Sequence, residues 1–354
     1  MSLPPSDSAC PRGKALSVPP TEGLKRALGR PATASADRLG EFDLIRRFFD
    51  RGPSRSVELG IGDDCALIAP TVPGARFAVS TDMLVEGRHF FADVEPRTLG
   101  HKALAVNLSD LAAMGATPRA FTLALALPEA DPGWLGAFSE GLFAIADRFG
   151  CELIGGDTTR GPLNVCITVL GELPGGTALR RDRAQPGDDL WVSGELGAAA
   201  FAVRQRVLGQ PLPSDHPATH RLESPEPRIA LGVALRHLAR AAIDLSDGLS
   251  GDLGHVCERS RVGARVEWPR VPVAAALAPL SDAERAEFAL AGGDDYELLF
   301  SAAPENRAAI ESLAGSLGLR LTRIGTIDAG QGVRFVDARG AAIRLQAHSY
   351  DHFG

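Results

Sequence analysis

The chain predicts an α/β protein of two domains on three observations: its length, an alternation of strand-like with helical runs, and a proline-glycine break after which the alternation resumes. At 354 residues it is long for one core and comfortable for two. From Glu41 to about residue 172, short β-like runs alternate with helical ones, the pattern of α/β (α+β) layers. Leu173-Pro174-Gly175-Gly176 then interrupts both periodicities. The expected division is a disordered extension over residues 1–36, an N-terminal domain over 37–172 and a C-terminal domain over 173–354.

Each element has a local reason. Residues 1–36 carry Pro4, Pro5, Pro11, Pro19, Pro20 and Pro31 with little periodic apolarity. Phe42, Ile45 and Phe49 recur at helical spacing over Glu41 to Asp50, and Gly52-Pro53 stops them. Phe77 to Ser80 reads as a strand, Leu99 to Met114 as a helix ended by Gly115, Trp134 to Phe149 as a helix ended by Gly150, and Val165 to Leu170 as a strand. Beyond the break come a strand over Asp189 to Val192, an alanine-rich helix over Leu196 to Val207, a loop over Gln210 to His220 and a helix over about Pro227 to Ala239. The apolar run Phe288 to Leu290, the segment Tyr296 to Phe300, a helix over Pro304 to Leu317 and a strand over Leu321 to Ile327 follow.

Composition narrows the function. Hydrophobic residues make up 45% and charged residues 23%, an ordinary globular balance. The net charge of −7 argues against nucleic acid or an anionic membrane as partner, since both need basic patches. No apolar stretch approaches the roughly 20 residues of a membrane span, and the amino terminus lacks the apolar core of a secretory signal, so a cytoplasmic location is expected. Cys10, Cys65, Cys151, Cys166 and Cys257 are scattered and never form a C-x-x-C pair, so buried free thiols are expected.

One device recurs: an apolar run leading to aspartate. It appears before Asp63-Asp64, Asp82, Asp110, Asp157, Asp244 with Asp247, and Asp294-Asp295. One such aspartate usually starts a turn or caps a helix. A set of them, several preceded by glycine, predicts carboxylates presented at the ends of elements. Convergent carboxylates repel and require cations, and donors that are nearly all oxygen select hard ions such as magnesium, which shares its shell with phosphates. A nucleoside triphosphate follows as ligand. The usual P-loop, dinucleotide and protein-kinase strings are absent. Arg180, Arg181 and Arg183 read either as a solvated turn or as guanidinium forks for triphosphate oxygens. His89, shortly after Asp82, reads either as structural or as a substrate contact.

These residues lie in longer strings. G-I-G-D-D-C-A-L-I from Gly60, S-T-D-M-L-V-E-G-R-H-F from Ser80 and K-A-L-A-V-N-L-S-D-L-A-A-M-G-A from Lys102 resemble thiamine-monophosphate kinases, as do G-G-D-T-T-R-G-P from Gly155, A-I-D-L-S-D-G-L from Ala242, G-G-D-D-Y-E-L from Gly292 and Y-D-H-F from Tyr350. The resemblance implies the PurM-like fold of the aminoimidazole-ribonucleotide-synthetase-like superfamily, with an N-terminal domain that forms a dimeric β-barrel-like interface and a C-terminal α/β domain. It implies direct transfer of the ATP γ-phosphoryl group to thiamine monophosphate, with several magnesium ions and no phosphoenzyme.

By motif position, the resemblance implies Asp64, Ser80, Thr81, Asp82, Asp110, Asp157, Asp244 and Asp247 as magnesium ligands. Gly156, Arg181 and Ser246 would contact ATP, and His89 and Asp294 the thiamine substrate. Asp294 stands where many relatives have glutamate, and Ala347 where they commonly have an aromatic residue. Two alternatives remain at this stage: another ATP-using member of the superfamily, of the aminoimidazole-ribonucleotide or selenophosphate synthetase type, or a nucleotide-binding module without catalysis.

Overall fold

The structure, a computed structural model, describes residues 41–52, 70–71 and 73–345. The expected extension, Asp63-Asp64, Cys10, Cys65, Ala347 and the terminal Y-D-H-F string lie outside the described residues.

After α1 (Glu41–Phe48), the first half runs β1 (Arg76–Val85), α2 (Pro96–Ala113), β2 (Thr117–Leu127), α3 (Pro132–Phe149), β3 (Glu152–Arg160) and β4 (Asn164–Leu173). The strands form a sheet in the order β1-β4-β2-β3. β4 runs antiparallel to both β1 and β2, while β2 and β3 are parallel and joined through α3, as a parallel pair requires a crossover. β1 divides its side chains by strand alternation: Ser80, Asp82 and Leu84 turn inward, whereas Phe77, Val79, Thr81 and Met83 are exposed on the other face.

Helix α2 is the centre of the molecule. Glu95 caps it through the Thr98 amide, Pro96 occupies its first turn where no amide bond is lost, and Gly115 follows its end at φ 68°. Nearly every residue from Leu99 to Ala113 is buried, because α2 is covered by β1 and β4 on one side, α3 on another, and later elements on the rest. Close approach to α3 depends on two glycines. A Cβ on Gly141 would lie 1.9 Å from the Arg97 carbonyl oxygen, and one on Gly100 would lie 2.1 Å from that of Phe138.

The second half contributes β5 (Asp189–Ser193), α4 (Ala198–Val207), α5 (Pro217–Glu223), α6 (Ile229–Leu235), β6 (Ala239–Asp244), α7 (Leu249–Ser260), β7 (Gly263–Glu267), α8 (Asp282–Ala291), β8 (Leu298–Ala302), α9 (Arg307–Leu317), β9 (Leu321–Asp328) and β10 (Gly332–Val336). Its sheet has the order β10-β7-β9-β5-β8-β6. Helix α6 and strand β6 pack on α2, so one hydrophobic core runs from Phe121 and Phe138 through Leu104 and Leu108 to Trp191 and Phe300.

Several expectations are corrected. The segment Gln210 to His220 is not loop throughout, since α5 begins at Pro217 with His216 as its cap. The helix expected over Pro227 to Ala239 is confined to α6, and Ala239 already begins β6. Asp82 and Asp157 lie within strands and Asp110 within a helix, so of these aspartates only Asp244 closes a strand as expected. A helix buried on all sides is apolar all round, and there the run before Asp110 marks burial rather than an element's end. Cys151 and Cys257 are buried free thiols and Cys166 is a partly exposed one. Among the described residues no helix is long and apolar enough to cross a membrane.

The α2–α3 contact gives a stability test. Gly141→Ala is expected to cost about 2 kcal/mol, because the added methyl meets backbone that cannot yield. Thermal unfolding measured beside Gly136→Ala, whose Cβ has no neighbour nearer than 3.9 Å, separates this clash from loss of glycine flexibility.

Candidate active site

Asp82 on β1, Asp110 on α2, Asp244 at the end of β6 and Asp247 in the loop before α7 line one cavity of about 720 Å³. Three separate regions of sequence thus supply one acidic wall. Ser80 donates to Asp110 Oδ2, and Ser109 donates to Asp244 Oδ2 at 2.7 Å. The Asp247 and Gly248 amides both donate to Asp252 Oδ2 at 3.1 Å, which fixes the turn that carries Asp247.

The electrostatics follow from this crowding. Burial, then the charges of Asp110 and Asp247, push the Asp82 carboxyl up to about 6. Burial and neighbouring Asp110 push Asp244 up to about 8, and burial with Asp247 pushes Asp252 up to about 7. Burial also raises Asp110, opposed by the Ser80 hydrogen bond and the Arg181 charge. Burial and like charge both disfavour the ionised form.

A second wall adjoins the acidic one: the Gly292 to Glu297 segment, whose Asp294 amide donates to the Ser246 carbonyl oxygen at 2.9 Å. Lys102 Nζ lies 3.2 Å from Asp294 Oδ2, and the Tyr296 hydroxyl donates to Asp294 Oδ1 at 3.0 Å. Asp294 and Tyr296 both have left-handed backbone, φ 66° and 49°, which costs roughly 1–2 kcal/mol at each residue. Interior anchors hold this shape. Asp295 accepts from the Gly197 amide at 3.0 Å, while Glu297 accepts from Arg228 Nε at 2.7 Å, from Arg221 and from Ser193. Burial pushes the Glu297 carboxyl up, but the Arg228 and Arg221 contacts outweigh it and leave it below its ordinary value. Gly194 makes room, since a Cβ there would sit 2.0 Å from Glu297 Oε1.

His89 and Ser246 also line the large cavity. Ser80 and Arg181 line a second cavity of about 510 Å³, and Asp110 belongs to both. Thr81 turns its hydroxyl to the outer face, where it pairs with Thr168 at 2.8 Å, so only its backbone remains on the acidic side. Gly156 and Asp157 lie on β3, at the sheet edge opposite β1. Gly156 presses on β2, with a Cβ position 1.8 Å from the Leu123 carbonyl oxygen. Asp157 is exposed and separated from Asp82 by three strand spacings, roughly 14 Å along the sheet. One chain does not bring it to the other aspartates.

Among the described residues no three acidic, histidine or cysteine side chains close tightly enough to hold an ion by themselves. The wall nevertheless fits magnesium: its donors are oxygen, its carboxyls resist ionising together, and magnesium completes its shell with water and phosphate oxygens. Lys102, Tyr296, Asp252 and Glu297 escaped the sequence reading. Lys102 had a signal as a lysine on the stripe it forms with Val106 and Asp110 inside a buried helix, and Tyr296 and Glu297 had one as members of the G-G-D-D-Y-E-L string.

A carboxyl whose folded pKa exceeds its unfolded value adds stability at low pH that is lost as pH rises through the folded value. Metal-free protein is therefore expected to melt at progressively lower temperature between about pH 4 and pH 8, across the values of Asp82, Asp252 and Asp244. Asp244→Asn should raise the melting temperature at pH 8 and change it little at pH 4, as read by calorimetry in chelator. An equal effect at both pH values contradicts the assignment.

Comparison with known proteins agrees with this architecture. Residues 62–173 match the model for the AIR synthase related protein, N-terminal domain, and residues 185–338 that for its C-terminal domain. The thiamine-monophosphate kinase of Salmonella typhimurium is 48% identical over 322 residues, covering 89% of this chain and 98% of that protein. The crystal structure of the thiamine-monophosphate kinase of Stenotrophomonas maltophilia matches at TM-score 0.76 and 49% identity, over 82% of this chain and 93% of that one. AaThiL complexed with AMPPCP and TMP matches at TM-score 0.70 and 28% identity, over 80% and 89%. With a PurM-like arrangement of two α/β sheets and nearly half of its residues shared with such enzymes over almost their whole length, the chain belongs to the thiamine-monophosphate kinase family.

Proposed function

We propose that the chain phosphorylates thiamine monophosphate from ATP by direct in-line transfer, with the acceptor in the large cavity and the triphosphate in the smaller one. The observation that carries this arrangement is Asp110, which lines both cavities. The bound complex of AaThiL with AMPPCP and TMP supports the pair of ligands.

Both reacting groups are anionic, so their approach is opposed by charge. Asp82, Asp110, Asp244 and Asp247, with Ser80 and the Thr81 carbonyl, would hold magnesium, as would Asp64 outside the described residues. When bound, the ions neutralise and align phosphate oxygens. Arg181 supplies a guanidinium to the triphosphate in the smaller cavity, Ser246 would meet it from the large cavity, and the backbone at Gly156, like Asp157, would reach it from a second copy of the chain. His89 and Asp294 orient the thiamine portion, and Lys102 with Tyr296 fixes the Asp294 carboxylate. The acceptor is an ionised phosphate oxygen, so positioning and charge stabilisation suffice without a strong general base.

Asp157 points to a homodimer. Phe77, Val79 and Met83 leave an apolar stripe exposed on the outer face of β1, 38%, 61% and 52% accessible. A second copy laid against this sheet, in the barrel-like manner the family resemblance implies, would cover the stripe and bring its own Asp157 toward the acidic wall. The domains would divide near 172/173, with residues 1–36 dispensable for the chemistry. The working compartment would be the cytoplasm, where ATP is made, with neither nucleic acid nor membrane as partner.

Purified protein with ATP and magnesium should form thiamine diphosphate from the monophosphate and nothing from free thiamine; phosphorylation of free thiamine would sink the reading. Asp82→Ala and Asp110→Ala should each lower kcat by about 10²-fold or more while keeping the native circular dichroism. Asp157→Ala should be equally inactive, yet mixing it with Asp110→Ala subunits should restore turnover, because one site of each mixed dimer is then intact. Val79→Arg with Met83→Arg should sediment as a monomer and lose activity.

A further inference from the structure

The cavity has an end that the phosphotransfer residues do not use. Asp110, Val106 and Lys102 all line it and lie four residues apart on α2, so the cavity follows one helix face. At 1.5 Å rise per residue, the level of Lys102 is about 12 Å from the acidic wall at Asp110. Two further lining residues lie on the Lys102 side: Phe91, from the segment after β1, and Glu223, the last residue of α5. Burial pushes the Glu223 carboxyl up, and the nearby Arg206 and Lys102 charges oppose that rise.

One arginine clamps the pair. Arg206 on α4 donates to Glu223 Oε1 at 3.0 Å and sets its guanidinium 4.4 Å from the centroid of the Phe91 ring. It also donates to Asp93, which fixes the backbone that presents Phe91. Arg206 and Glu223 side chains are each only 16% exposed, which separates this contact from an ordinary surface ion pair. Among the described residues no hydrogen bond to the second Glu223 oxygen is formed. Aromatic face, clamped carboxylate and cavity coincide.

We propose that Phe91 and Glu223, held by Arg206, form the subsite for the aminopyrimidine ring of the acceptor. This rests on the phosphotransfer reading above. The acceptor is ordered phosphate, thiazolium, aminopyrimidine. Its phosphate belongs at the acidic wall, and its thiazolium then lies at the level of Asp294 and Lys102, where Asp294 offsets the ammonium. The aminopyrimidine reaches the far end. There its exocyclic amino group donates to Glu223 and its ring packs against Phe91, a polar contact within an apolar enclosure that fixes orientation.

The test compares thiamine monophosphate with oxythiamine monophosphate, in which oxygen replaces the amino group, and with the thiazole phosphate half of the substrate. Glu223→Gln should raise KM for thiamine monophosphate about tenfold, the loss of one hydrogen bond to a charged group, with KM for ATP unchanged. It should also narrow or invert the preference over oxythiamine monophosphate, because the glutamine amide can donate to the oxo group. Phe91→Ala should weaken thiamine monophosphate and leave turnover of the thiazole phosphate unchanged. An unchanged KM, or equal losses for all acceptors, overturns the subsite. Wild-type protein inert toward thiamine monophosphate overturns the phosphotransfer reading instead. If Glu223→Gln fails to fold, the Phe91→Ala comparison decides alone.

Discussion

Like charges held together away from water are the constraint on which this structure turns. Asp82, Asp110, Asp244 and Asp247 reach one cavity from three distant parts of the chain, and each close pair costs on the order of 1–4 kcal/mol at intermediate dielectric. No local element would gather them unaided. The burial of α2 between two layers supplies the opposing free energy, and the Ser80 and Ser109 hydroxyls take part of the negative charge as hydrogen-bond donors. The acidic wall is thus a product of the whole core.

The two walls of the cavity are built by different physics. The acidic wall is under electrostatic tension that cations relieve, whereas the Asp294 wall is neutralised from within by Lys102. Behind the second wall, Glu297 is fully buried and compensated by two arginines. Such a cluster is expensive to desolvate and collapses if one partner is removed, so it specifies geometry more than it adds stability. The left-handed backbone of Asp294 and Tyr296 is a local cost that this geometry sustains.

Much of the fold was legible because helix ends are marked by chemistry that acts over a few residues. Gly115 and Gly150 stop their helices where the pattern requires, and the strand over Val165 to Leu170 alternates as a half-covered strand should. Helix α7 was invisible, since Leu249, Leu253 and Val256 are a thin apolar stripe behind a glycine. The acidic residues were legible as chemistry and misjudged as architecture. The helix over Leu99 to Met114 was legible and holds Asp110 inside it, whereas the apolar run before Asp110 marks burial of that helix rather than the end of an element. The partnership of Lys102 with Asp294 spans 192 positions, and no local pattern encodes a contact at that separation. Asp157 is a subtler case, because its motif is plain while its own chain leaves it on the far edge of the sheet.

Ser109 and Asp110 are consecutive on α2, yet they face different masters. Ser109 holds Asp244 from the second half of the chain, and Asp110 is held by Ser80 from the first. Helix α2 therefore acts as a ruler: two adjoining side chains fix Ser80 of the first sheet and Asp244 of the second at neighbouring points on one rod. The helix is rigid and encased, so the spacing of those points can change only if the rod as a whole slides or tilts. A shift of the second sheet against the first would reach the carboxylates as a change in their separation, making them a sensitive gauge of how the two layers sit.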